Sequence, residues 1–165
     1  AMEKMSIGDK IDVRSQGQGM KLLDYPDILL RNMSPELLEK MNITEVDGKL
    51  RVGVAKIVPG CIMGSGLGAA TSYYGDYDIT LHDKKLTAEY GLDELRFGDI
   101  VAILDADTRF GRTFITGAVT IGVVVHSDCI LSGHGPGVTT LMTCKTPLIE
   151  AVIDGGANLA DYFVK

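Results

Sequence analysis

A group of residues whose side chains bind metals or act as catalysts stands close together in the second half of the chain. His126, Asp128 and Cys129 follow a long apolar run, and His134 lies within the glycine-rich turn that comes next. Alternate residues of a strand share a face, so His126 and Asp128 could approach one ion if the strand extends that far. Imidazole and carboxylate ligands together suit zinc, iron or manganese. We therefore predict a divalent metal site formed by His126, Asp128 and His134.

Two further features predict a ligand pocket beside these residues. The loop at 64–68 (GSGLG) could form a nest of backbone amides for a carboxylate or phosphate. No long amphipathic helix follows it, which argues against a dinucleotide-binding βαβ unit. The thiol of Cys129 could also be a nucleophile that a neighbouring histidine activates. The residues that we expect to contact a small-molecule ligand are Ser65, Gly66, Gly68, Cys129 and Gly135.

Two pairs of aspartates at positions i and i+2 are a second group of interest. Asp76 and Asp78 form one pair, and Asp105 and Asp107 form the other; each lies near the end of a predicted strand. Paired carboxylates can bind a hard cation through oxygen. Aspartate is also frequent in turns, because its side chain accepts hydrogen bonds from local backbone amides. We expect this second role for both pairs.

The composition restricts the classes of function. A chain of 165 residues, 45% hydrophobic and 23% charged, favours one globular domain over residues 1–165, in which 1–33 could form an extended arm. A net charge of −6 argues against binding to nucleic acid or to an anionic membrane. Three cysteines without a CxxC pair are typical of reduced thiols, so we expect a cytoplasmic location. The mean hydropathy of +0.16 is compatible with a homo-oligomer.

The elements that must position these residues are mainly strands. The Asp47-Gly48 pair between β-prone runs predicts a hairpin turn. The run at 112–125 is too long for an ordinary strand, so we expect a bulge at Gly117 or Gly122. The predicted strands cover residues 49–58, 77–82, 100–104, 112–125, 138–142 and 148–153, with a turn at 83–85.

Two short helices complete the predicted fold. Ser34 before Pro35 is typical of a helix start, because serine caps the first amides and proline suits the first turn. This predicts a helix near 35–41, and the apolar spacing near the C-terminus predicts another near 157–163. The predicted fold class is mainly β, as one compact β-sandwich or barrel-like domain.

Several blocks of the sequence resemble an uncharacterised family of archaea and thermophilic bacteria. The blocks are 59–71 (PGCIMGSGLGAAT), 75–79 (GDYDI), 95–102 (LRFGDIVA) and 117–143, with VVVHSDCILSGHGPGVTTLMT as the most specific string. The family is described only as a domain of unknown function. The resemblance implies a β-rich, thermophile-type domain in proteins longer than this chain, and it brings no activity or functional residues.

A weaker similarity links the chain to the acetamidase/formamidase enzymes. It rests on a comparable proline-glycine start, a glycine-rich run, an Ala-Ala pair and a Gly-Asp pair. The run in those enzymes includes a histidine, whereas the matching region here holds Gly68, Ala69 and Ala70. This departure argues against amidase chemistry.

These features together predict a protein that binds a small polar ligand or a divalent metal ion at a His/Asp site. Metal-assisted hydrolysis is the reaction to test first, because a bound metal lowers the pKa of a water molecule. The alternatives are a non-catalytic ligand-sensing module and a structural domain that forms oligomers.

Overall fold

The computed structural model describes residues 4–64, 70–128 and 135–164, which form a mainly β fold with two mixed sheets and three short helices. The strands are β1 (Leu29–Leu30), β2 (Ile43–Val46), β3 (Lys49–Val54), β4 (Lys56–Pro59), β5 (Tyr77–Asp78), β6 (Ile100–Asp107), β7 (Thr113–His126), β8 (Gly137–Cys144) and β9 (Ile149–Ile153). The helices are α1 (Pro35–Lys40), α2 (Lys84–Glu89) and α3 (Leu159–Phe163), and the 3₁₀ turns are Gly60–Ile62 and Leu92–Glu94. The predicted mainly β class is confirmed.

The larger sheet has the strand order β1-β8-β7-β6-β4, and β5 also pairs with β8. Strands β6, β7 and β8 are antiparallel, whereas β4 runs parallel to β6. The smaller sheet has the order β2-β3-β9, with β3 and β9 parallel. In the part of the chain that the structure describes, neither strand order closes into a barrel.

Strand β6 is buried on both faces, and this explains its continuous apolar sequence. Ile100 and Ala102 belong to a core cluster that also contains residues of the smaller sheet, such as Val52. Val101 and Ile103 belong to a second cluster on the opposite face. The two sheets therefore share the first cluster, and the second lies beside the functional site described below.

Three local signals in the sequence correspond to the elements expected. The Ser34 hydroxyl accepts a hydrogen bond from the Leu37 amide at 3.1 Å, as the N-cap of α1. Asp47 and Gly48 form the turn between β2 and β3 with φ of 52° and 73°, as a type I′ turn requires. Helix α3 begins after Asn158, whose side chain caps it. The predicted helices near 35–41 and 157–163 and the predicted hairpin are confirmed.

Other predicted boundaries were wrong. Residues 49–58 are not one strand, because the chain leaves the smaller sheet at Ala55 and enters the larger sheet as β4. The strand predicted over 77–82 is confined to β5, and the turn predicted at 83–85 is the start of α2. The Asp83 carboxylate caps this helix by accepting hydrogen bonds from the amides of Lys85 and Leu86. Aspartate suits a helix cap and a turn equally well, so the sequence did not separate the two.

The long strand β7 is irregular at both predicted positions. Its register against β6 shifts opposite Asp105, and the amide of Gly117, which has a φ of 84°, donates to Asp105 Oδ1 at 2.8 Å. Its register against β8 shifts between Ile121 and Gly122. Each shift lets a strand of this length curve with the sheet.

The N-terminal part of the described chain is irregular. Residues 5–28 contain no helix or strand, and Ile7, Val13 and Leu23 are largely exposed there. The assignment of 1–165 to one domain with an arm stays a prediction. Among the residues that the structure describes, none of the helices is long and apolar enough to cross a membrane.

Candidate metal site

Three side chains from two distant parts of the sequence converge where β5, β7 and β8 meet in the larger sheet. His126 Nε2 lies 2.7 Å from Asp76 Oδ2 and 3.3 Å from Asp78 Oδ1. One ligand atom from each residue lies within 4.8 Å of the other two. Metal–ligand bonds of about 2.0–2.2 Å place the ligand atoms of a tetrahedral ion about 3.4 Å apart. The three side chains could therefore hold one ion with small adjustments.

Strand β8 brings the two halves of this group together. Gly137, its first residue, pairs with Asp78 of β5 on one side and with His126 of β7 on the other. A Cβ atom at Gly137 would collide with Asp76 Oδ2 and His126 Nε2. The three polar side chains can meet over this position only because it is glycine.

The backbone at 76–78, which includes β5, places both carboxylates on the face opposite Tyr77. Tyr77, between the two aspartates, is 1% exposed and belongs to the second core cluster. Side chains of successive strand residues point to opposite faces, so Asp76 and Asp78 share the other face. Burial raises the pKa of Tyr77 to about 12, so this hydroxyl stays neutral at physiological pH.

A bulge in β7 turns His126 towards the aspartates. The register against β8 shifts between Val124 and His126, which leaves Val125 as an additional residue. Val124 packs into the second core cluster, and regular alternation would place His126 on the same face. The additional residue reverses this alternation, and His126 meets Asp76 and Asp78 instead.

The imidazole of His126 is oriented by a backbone contact. Its Nδ1 lies 2.8 Å from the carbonyl oxygen of Ser127, a contact in which Nδ1–H donates. Metal-bound histidines commonly donate their other ring N–H to a carbonyl or carboxylate, which leaves the second nitrogen free to bind the ion. In His126 the nitrogen left in this way is Nε2, which faces both carboxylates.

The electrostatics of the group favour a positive charge. The hydrogen bond to Ser127 raises the pKa of His126 above its ordinary value of 6.5, and the charges of Asp76 and Asp78 raise it further, against the opposing effect of desolvation. Without a metal, the site therefore favours an imidazolium between two carboxylates. A divalent ion competes with that proton for Nε2.

A cavity of about 640 Å³ adjoins His126. Its wall includes Ser127 and Asp128, the side chain of Lys84, and apolar residues such as Leu95 and Phe97. Catalytic metal sites keep a coordination position open for water or substrate. Three side chains that could bind a metal, next to a cavity of this size, are consistent with such a site.

The residues predicted from the sequence have different positions. His126 belongs to the converging group, whereas Asp128 is exposed on the rim of the cavity. Gly135 packs against the backbone of Ile79, where a Cβ would overlap the carbonyl oxygen. Ser65, Gly66, Gly68, Cys129 and His134 lie outside the described residues, and their predicted roles stay predictions.

The importance of two residues of the converging group was underestimated from the sequence. Asp76 and Asp78 were recognised as a pair with suitable spacing and were assigned to a turn. The available signal was their position on either side of Tyr77, at the start of the strand predicted over 77–82, which places both carboxylates on one face if the strand begins one residue earlier. Nothing in the sequence indicated that this strand pairs with β8 next to His126.

Comparison with protein families gives the chain its classification. Residues 40–163 match the model described as Domain of unknown function (DUF4438), C-terminal, and residues 1–39 match the corresponding N-terminal model. The chain belongs to the DUF4438 family. The predicted relationship to a domain of unknown function is confirmed, and the weaker similarity to acetamidase/formamidase enzymes stays a prediction.

One solved structure is similar to this DUF4438 chain over most of its length. The crystal structure of TM1086, a Thermotoga protein, is similar to this chain with 46% sequence identity and a TM-score of 0.81. The similarity covers 90% of this chain and 52% of TM1086, so the chain spans about half the length of that protein. No curated protein shows significant similarity. A function for this DUF4438 chain must therefore be argued from its own residues.

Proposed function

We propose that the chain binds one divalent metal ion through Asp76, Asp78 and His126 and uses it to hydrolyse a small polar substrate. The observation that carries the proposal is the convergence of two carboxylates on His126 Nε2. Two carboxylates and one imidazole form a ligand set that suits zinc, manganese or iron.

An ion pair without a metal is the simplest alternative for these three residues. A protonated Nε2 has one N–H, which suits the contact with Asp76 at 2.7 Å and leaves Asp78 at 3.3 Å. Two carboxylates at one nitrogen also repel each other. A dication removes this repulsion and gives each carboxylate a direct ligand bond. A metal ion therefore accounts for the convergence of both carboxylates on Nε2.

The adjoining cavity supplies the other requirements for hydrolysis. A bound metal ion lowers the pKa of a coordinated water and generates a nucleophile near neutral pH. Asp128 lies on the cavity rim and is our candidate for the proton acceptor. Apolar residues, including Phe97, would bind the body of the substrate, and Lys84 would contact a polar group on it.

Metal content and turnover test the proposal together. We expect about one equivalent of zinc, manganese or iron in protein purified without a metal-affinity column. The Asp76→Asn and Asp78→Asn variants should lose the metal, whereas Asp128→Asn should retain it and lose turnover across a panel of amides, esters and phosphoesters.

The possible results separate the three function classes. Metal binding without turnover in the unaltered protein would replace the hydrolase by a non-catalytic sensing module. Equal metal content in the unaltered protein and in the Asp76→Asn variant would contradict the site itself. The cytoplasmic location and the homo-oligomer stay predictions.

A further inference from the structure

A second cavity lies on the outer edge of β8, away from His126. Strands β1 and β5 both pair with this edge: Leu30 pairs with Met142, and Tyr77 pairs with Val138. The backbone between these two pairings is not covered by a continuous strand. A cavity of about 600 Å³ is lined by the end of β1, by the tyrosines before β5 and by the loop at 15–19.

Asn32 lines the cavity at this gap. It has a φ of 46°, in the left-handed region that asparagine tolerates better than most residues. Its side-chain amide donates to the carbonyl of Thr140 at 3.2 Å and to that of Ser72 at 3.3 Å. The asparagine thus connects β8 to the segment that carries Tyr73 and Tyr74, and fixes one wall of the cavity.

Arg31 supplies the charge of the cavity. Among the described residues that line the cavity, Arg31 is the one with a charged side chain. This positive charge stands in a protein whose net charge is −6. The guanidinium lies 4.4 Å from the ring centre of Tyr73 and donates to the carbonyl of Leu30 at 3.0 Å. Stacking on an aromatic ring orients a guanidinium while leaving N–H groups at its edge for an acceptor.

Comparison with Arg51 shows what is unusual about Arg31. Both are half-buried, and in both the Nε is covered by protein without a hydrogen-bond partner. Arg51 is paired with the carboxylate of Glu150, with contacts of 3.2 and 3.3 Å. Arg31 has no carboxylate partner in the described ranges 4–64, 70–128 and 135–164. A half-buried cation without a counter-ion is unfavourable, and an anion in the cavity would correct this.

We propose that this cavity binds a planar aromatic ring that carries a carboxylate or a phosphate. The anionic group would contact the guanidinium of Arg31, which can bind either group through two parallel N–H bonds. The ring would pack on Tyr73 and Tyr74, whose side chains are 50% and 84% exposed and offer apolar surface at the cavity. The polar groups of Gln16 and Gln18 would bind substituents on the ring.

The proposal does not depend on the metal site, because the two sites share no lining residue. Binding can be measured in the presence of a chelator, so loss of a metal cannot imitate loss of this ligand. The chain has six tyrosines and no tryptophan, so quenching of tyrosine fluorescence reports on ligands near Tyr73 and Tyr74.

The test uses titration calorimetry and tyrosine fluorescence with benzoate and phenyl phosphate as probes. The neutral benzamide should bind at least about tenfold more weakly than the preferred anionic probe, since a charge-assisted contact contributes about that factor or more. The non-planar cyclohexanecarboxylate keeps the charge and should bind more weakly than benzoate, because it cannot stack on a tyrosine ring. Comparison of benzoate with phenyl phosphate separates carboxylate ligands from phosphate ligands.

Variants locate the site. Arg31→Met should weaken binding of the preferred probe at least about tenfold, and Tyr73→Leu should also weaken it, whereas Tyr73→Phe should not. Arg51→Met is the matched control and should leave binding unchanged. Equal affinity for the preferred anionic probe and for benzamide in the unaltered protein, no binding of either anionic probe, or equal losses in Arg31→Met and Arg51→Met would overturn the proposal. The comparison with benzamide needs no variant and therefore holds even if Arg31→Met fails to fold.

Discussion

The two aspartate pairs have the same spacing in the sequence and opposite roles in the structure. Asp105 and Asp107 make structural contacts. Asp105 accepts a hydrogen bond from the amide of Gly117. Asp107 is 4% exposed and contacts Arg109 through both carboxylate oxygens. Asp76 and Asp78 instead face one imidazole nitrogen at a partly exposed edge. The pair itself does not determine the role. The partner determines the role. Asp107 has its cation, Arg109, two residues away in the chain, whereas Asp76 and Asp78 meet His126 from a distant strand.

Removal of Asp107 should have the largest effect on stability. Asp107→Ala leaves Arg109, whose side chain is 21% exposed, without the carboxylate that it contacts, and loss of a hydrogen bond to a charged group costs about 1.5–3 kcal/mol. Chemical denaturation should therefore show a large fall in the free energy of unfolding. The metal content of the folded fraction of this variant should equal that of the unaltered protein. Coupled loss of metal would show that the two pairs are not independent.

Removal of a carboxylate from the other pair should affect the metal rather than the fold. Asp76→Asn and Asp78→Asn should each weaken metal binding by more than about 100-fold, beyond the 10–100-fold typical for loss of an outer-shell contact. Unfolding of the metal-free variants should change little, because both side chains are partly exposed. Calorimetric titration with zinc and manganese measures the first effect. A loss below tenfold in both variants would argue for a plain ion pair.

The stability contributed by His126 and the metal affinity of the site should change in opposite directions as pH rises. The folded-state pKa of His126 is raised, so its ion pair contributes stability below the unfolded value of about 6.5 and loses it as pH rises through the folded pKa. Metal affinity should instead rise over the same window, because Nε2 must lose its proton. Thermal unfolding and metal titration across this range check both trends. The His126→Ala variant should show neither trend.

The smallest effect should come from Asp105→Asn. Asparagine tolerates the left-handed φ of 55° and keeps an oxygen that accepts the hydrogen bond from Gly117. We expect a change in unfolding free energy below about 1 kcal/mol, since only the charge is lost. Asp105→Ala is the comparison, and it should be clearly less stable than Asp105→Asn. Equal stability of the two variants would show that the contact with Gly117 is unimportant.

The sequence predicted local structure well because the signals were local. Ser34 before Pro35, and Asp47 before Gly48, each determine the backbone of a few neighbouring residues through hydrogen bonds or φ preferences. Asp83 was misjudged because capping and turn formation need the same carboxylate. The break at Ala55 was missed because both halves of 49–58 have β-prone residues, and only the tertiary structure places them in different sheets.

Of the three converging residues, only His126 was predicted to bind a metal, for a related reason. His126 stood out because it follows a long apolar run, and Asp76 and Asp78 stood out by their spacing. Their meeting depends on the pairing of β5 with β8 and on the additional residue Val125 in β7. Pairing between distant strands is set by the packing of the whole sheet, which no short segment encodes.

The position of a bound metal tests the central claim most directly. Crystals of the protein grown with manganese or zinc, with data collected at the absorption edge of the metal, would locate the ion by its anomalous signal. We predict one peak within about 2.0–2.3 Å of His126 Nε2 and of an oxygen from each of Asp76 and Asp78. A map without a peak there, with His126 still paired to Asp76, would contradict the metal site.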